Sequence, residues 1–116
     1  MIVHILQKNE WEKVKVKEFY KPDSFEKEGF IHCSTFEQVI GTANFHYKNT
    51  KDMMMLVIDE NLLIEKVVYE DLYNKGVKFP HIYGEINISS VIETIDFPCN
   101  IDGIFELPEK AKKYLN

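Results

Sequence analysis

Met53-Met54-Met55-Leu56-Val57-Ile58 is the longest unbroken apolar run in the chain. It is far too short to cross a membrane. With no polar residue at either parity, it predicts a strand buried on both sides. Val67-Val68-Tyr69 downstream reads as a second strand ending at Glu70. Val91 to Phe97 alternates, with Val91, Glu93, Ile95 and Phe97 opposing Ile92, Thr94 and Asp96, until Pro98 stops it. Upstream, Met1 to Gln7 is an apolar strand with Ile2, His4 and Leu6 on one face, and Phe30 to Ser34 is another. Asn9, with Glu12 three residues on, predicts a helix cap and a helix from Glu10 to about Phe19. A short helical stretch follows Lys21-Pro22-Asp23-Ser24, and Gly29 ends it. Ser34-Thr35-Phe36-Glu37 reads as a capping box. It opens a helix whose apolar stripe is Phe36, Val39, Ile40, Ala43 and Tyr47. Helices fall mainly in the first half and strands dominate the second. The expected class is α+β, with small mixed or antiparallel sheets and flanking helices. Residues 1–116 read as a single domain, with 108–116 a polar, helical C-terminal tail.

The composition narrows the function classes. A chain of 116 residues, 45% hydrophobic and 13% aromatic, can build its own core. A net charge of -5 leaves no broad basic face for nucleic acid. All 14 basic residues are Lys, so no guanidinium is present to clamp a phosphate. Any anion site must use Lys, protonated His, backbone N–H groups or a helix N-terminus. Cys33 and Cys99 are far apart and in no metal-type spacing. With no leader ahead of them, they predict reduced thiols and a cytoplasmic protein.

Three histidine-bearing segments stand out. His4 lies mid-strand among Ile and Val, where a satisfied core histidine is the plain alternative. His32 precedes the Ser34-Thr35 cap, beside amides that make a natural anion cradle. His81 sits in Phe79-Pro80-His81-Ile82-Tyr83-Gly84, which reads as a shaped loop between two backbone restrictors. His46 lies off its helix stripe and reads as a surface residue. No His or Cys pair has zinc spacing, so no metal is expected. There is no Gly-x-Ser-x-Gly nucleophile turn, although Ser34 and His32 share a strand face.

Glu28-Gly29-Phe30-Ile31-His32-Cys33-Ser34-Thr35 and Phe79-Pro80-His81-Ile82-Tyr83-Gly84 together resemble the bacterial family catalogued as domain of unknown function 952. Trp11, Tyr20-Lys21-Pro22, Gly41-Thr42-Ala43-Asn44, Leu56-Val57-Ile58-Asp59 and Tyr69-Glu70 extend the resemblance over residues 2–97. It implies a fold similar to ADP-ribosyltransferases and tRNA 2′-phosphotransferases, which hold NAD or a phosphorylated ribose between two small sheets. On that analogy His4 grips the nucleotide, and His32 and His81 join it as catalytic candidates. Ser34, Thr35, Tyr83 and Asn44 line the ligand, and Glu70 or Glu85 is the candidate glutamate. The sequence departs from the family at Glu85, where relatives more often carry Pro. It departs again at Phe45-His46, where relatives usually have a basic residue. The implied function is a small-ligand-binding or transferase domain acting on an NAD-like nucleotide or phosphoribosyl compound. The alternatives are a non-catalytic metabolite- or protein-binding module and a small His-dependent hydrolase.

Overall fold

The computed structural model describes residues 1–116. In chain order the elements are β1 (Ile2–Gln7), α1 (Lys8–Val14), β2 (Phe19–Tyr20), α2 (Ser24–Glu28), β3 (Ile31–His32), α3 (Val39–His46), β4 (Met53–Ile58), β5 (Val67–Glu70), β6 (Phe79–Ile82), β7 (Ile86–Asn87) and β8 (Val91–Phe97). Short 3₁₀ turns occupy Glu60–Leu62, Ile88–Ser90 and Glu109–Tyr114. β4 is the centre of an antiparallel sheet of order β1-β4-β8, and all its side chains are buried. Val3, Ile5, Met53, Met55, Val57, Ile95 and Phe97 face one core with Phe36, Val39 and Ala43. Ile2, Leu6, Met54, Leu56 and Ile58 face a second core with Ile31, Cys33, Ile82 and Ile86. Two cores, one on each side, are why β4 carries no polar residue. The expected α+β class and antiparallel sheets hold.

The second sheet is antiparallel, of order β3-β6-β5. β6 is its middle strand, so Phe79–Ile82 is not the shaped loop expected from its proline. Pro80 is tolerated because its own side of the ladder faces β3 only where that strand ends. Cys33 N–H donates to Pro80 O at 3.1 Å, and the next residue, Ser34, pairs with Val3 instead. β2 and β7 form a separate two-stranded ribbon.

Three local expectations change. α1 starts at Lys8 and ends at Val14, with Gln7 at its N-cap position and no side-chain cap, so Asn9 lies inside the helix. The Lys8 N–H donates to Asp52 O at 2.7 Å, so the helix springs directly from the strand ladder. The stretch beyond it, including Phe19, is free to pair in β2. Neither Ser34 nor Thr35 caps α3, which begins at Val39 after a turn. Ser34 is held by the backbone of Val3, and its hydroxyl donates to Thr42 Oγ1 at 3.4 Å. The reciprocal contact of a capping box is made one residue later, by Gln38 Oε1 accepting the Thr35 N–H at 3.0 Å. The tail is not merely polar. Ala111 is fully buried, and Tyr114 stacks on Phe36 at 4.8 Å and donates to Glu93. By contrast Gly29 ends α2 in the left-handed region at φ 83°, as expected.

Asn44 secures the segment leading to that tail. Its Oδ1 accepts the Phe105 N–H at 2.7 Å and its Nδ2 donates to Phe105 O at 3.1 Å. The amide thus imitates a strand partner for a buried backbone. Asn44→Ala leaves both Phe105 groups without partners, and it is expected to lower unfolding free energy by about 1–3 kcal/mol. Urea denaturation of the two proteins measures this.

Candidate functional site

The outer edge of β1 positions the site. Val3 and Ser34 exchange both backbone hydrogen bonds, at 2.8 and 2.9 Å, and this joins the two sheets. His4, on the β1 face that looks toward the second sheet, then lies beside the carbonyl of His32. Its Nδ1 is 2.8 Å from His32 O. A carbonyl only accepts, so Nδ1 carries the proton and Nε2 is the bare nitrogen of the neutral ring. In the second sheet His32 and His81 are register partners, and their rings meet edge to face at 5.3 Å. Phe30 stacks on His81 at 4.2 Å and packs edge-on against His32 at 4.8 Å.

Each ring has one nitrogen fixed. His81 Nδ1 lies 2.9 Å from Glu70 Oε2, the same oxygen that accepts the Tyr83 hydroxyl. His32 Nε2 is bonded to Glu28, the last residue before Gly29 turns the chain. His4 and His81 are only 8% and 1% exposed, yet neither Nε2 is a buried atom without a partner. Each therefore reaches open space through that nitrogen. The space is a cleft of about 900 Å³, bordered by His4, His32, Ser34 and His81.

His46 also borders this cleft; it is exposed, as expected, but it sits at the rim. Glu70 and Tyr83 stand behind His81 and do not line the cleft. Thr35 and Glu85 lie outside it, and Asn44 is committed to Phe105. The carboxylates that do line the cleft, Glu10, Asp23 and Glu28, were not singled out from the sequence. Tyr20, also in the lining, donates to Glu10 Oε2 at 2.5 Å and places its ring 5.8 Å from His4. The Glu28-to-His32 spacing of four residues was the available signal, hidden because Gly29 breaks the helix between them. No group of three or more His, Cys, Asp or Glu side chains is placed to hold a metal ion. No helix is long and apolar enough to cross a membrane.

Burial sets the protonation states. Desolvation lowers the pKa of His4, outweighing the carbonyl bond that favours its charged form. The hydroxyl of Tyr83, then His81, holds Glu70 below the usual carboxylate range. Burial pushes the Cys33 thiol well above its ordinary value, so it is no nucleophile; Cys33 and Cys99 are both free.

A family model described as "Protein of unknown function (DUF952)" matches residues 5–94. The chain is also similar to protein CC0527 from Caulobacter crescentus. Its crystal structure superposes with a TM-score of 0.81 at 28% identity, covering 91% of this chain and 93% of that one. The solution structure of the same protein gives 0.77 at 26% identity, covering 97% and 94%. No curated protein matches.

The depressed His4 pKa leaves a mark on stability. The unfolded chain binds a proton near the ordinary histidine value of 6.5 while the folded chain resists it. The contribution is therefore complete above that value and is lost as pH falls from 6.5 toward the folded pKa. Glu70 acts in a lower window, losing its contribution as pH falls below 4.5. The urea midpoint of the wild type should fall when pH drops below 6.5, and His4→Gln should flatten that part of the profile.

Proposed function

This chain belongs to the DUF952 family of proteins of unknown function, and we propose that it binds a nucleotide-sized ribosyl compound in the histidine-lined cleft and transfers a group from it. One observation carries this reading: three imidazoles, each with one nitrogen fixed, border a single cleft of about 900 Å³. That volume suits a nucleotide. The ADP-ribosyltransferase-like reading of the fold belongs to the same proposal, supported by a cleft set between two small antiparallel sheets.

His81 is the general base. Its Nδ1–H is oriented by Glu70, so Nε2 accepts the proton of the attacking hydroxyl, and the carboxylate stabilises the imidazolium that forms. The new bond joins that oxygen to the anomeric carbon as the bond to the leaving group breaks, and the proton passes on to the leaving group. Positive charge gathers on the ribosyl ring in such a step. Glu10 and Glu28 are the carboxylates that border the cleft and offset it. They replace Glu70 and Glu85 as the candidate glutamates facing the ligand.

The test is a thermal-shift panel with NAD, ADP-ribose and ribose 5-phosphate. A binder at a hundredfold excess over its Kd should stabilise the fold by about 2.7 kcal/mol. His81→Gln should keep that shift and abolish turnover of the bound compound. A shift with no turnover in the wild type would leave a non-catalytic binding module. No shift with any of the three overturns the reading.

A further inference from the structure

The hydrogen-bonding polarity of the histidine face of the cleft wall is one-sided. His4 donates through Nδ1 to a carbonyl, and His81 donates through Nδ1 to a carboxylate. As neutral rings both present Nε2 as an acceptor, and both are more than nine-tenths buried with that nitrogen unpartnered. His32 engages Glu28 through Nε2, so as a neutral ring it would present Nδ1 as an acceptor too. Glu10 and Glu28 each have one carboxylate oxygen outside these bonds. Fixed charge agrees: the lining holds three carboxylates, Glu10, Asp23 and Glu28, against the single ammonium of Lys75. That ammonium already sits 4.9 Å from the Phe45 ring centroid.

A phosphate is all acceptor and carries negative charge, so it matches neither property of this wall. A ligand rich in N–H and O–H donors and bearing positive charge matches both. We propose that the cleft recognises a cationic nitrogen on a polyhydroxylated molecule, an aminated sugar or ribosylamine, and that the phosphate of any nucleotide lies away from the histidines. This shares with the preceding reading the premise that the cleft holds a ligand, but it does not require a nucleotide.

The experiment titrates the full chain with 6-amino-6-deoxyglucose, glucose and glucose 6-phosphate, which differ at one position only. The imidazole nitrogen resonances of His4 and His81 are followed by NMR at about pH 7.5, where the amine is charged and the phosphate doubly negative. The amino sugar should move both Nε2 signals and bind about tenfold more tightly than glucose, the effect of one charge contact in a half-buried site. Glucose 6-phosphate should move neither. Glu10→Gln with Glu28→Gln should return the amino sugar to the affinity of glucose, and circular dichroism checks that the double variant is folded. Equal or tighter binding of glucose 6-phosphate overturns the inference, and so does silence from all three sugars. If nucleotides fail the thermal-shift panel while the amino sugar binds, the nucleotide reading falls and this one stands.

Discussion

The open edge of β1 is the constraint on which the rest depends. A strand edge carries unpaired N–H and C=O groups that must find partners. Here residues 32 to 34 supply them, through the Val3–Ser34 pair and the His4 ring on the His32 carbonyl. That closure forces the two sheets together. It also fixes which residues face each other across the seam, because β3 pairs with β6 in the register that sets His32 opposite His81. Three residues spread over the chain meet because one edge is satisfied by one short segment.

The same seam explains why the cleft is buried at its back and open at its front. Phe30 backs His81, side chains of both cores reach the cleft lining, and residues of α1 and α3 border it. Glu70 and Tyr83 sit on the far side of His81, which makes their role that of support. Holding a ring by its Nδ1 costs the ligand nothing at binding, since the geometry is set beforehand.

Much of this was legible in the sequence where a residue has one strong physical demand. An all-apolar run of strand length needs cover on both faces, and Met53–Ile58 has it. A glycine after a short helix needs the left-handed region, and Gly29 takes it. Strand alternation placed His4 and His32 on their strands. Reading failed where tertiary pairing overrode a local rule. Pro80 argues against a central strand until β3 is known to end beside it. Ser34 looks like a cap until its backbone is claimed by Val3. Glu28 looks like an ordinary surface helix residue until Gly29 reverses the chain and sets it against His32. Asn44 looks like a ligand contact until Phe105, 61 residues away, takes both ends of its amide. None of these partners lies close enough in sequence for periodicity to reveal it.

The carboxylates of this arginine-free chain are held in an unusual currency. Tyr20, Tyr69, Tyr83 and Tyr114 each donate a hydroxyl to a glutamate, on Glu10, Glu60, Glu70 and Glu93 respectively. A phenol is a neutral donor, so these contacts owe little to Coulomb attraction between opposite charges and are barely screened by dissolved ions. The ammonium–carboxylate pairs Lys15–Glu12 and Lys112–Glu109 lie at exposed positions, where such pairs contribute little. Meanwhile the net charge of -5 repels itself. Ionic strength therefore acts on this protein mainly by relieving that repulsion: a concentrated electrolyte leaves the tyrosine clasps intact and favours the folded state.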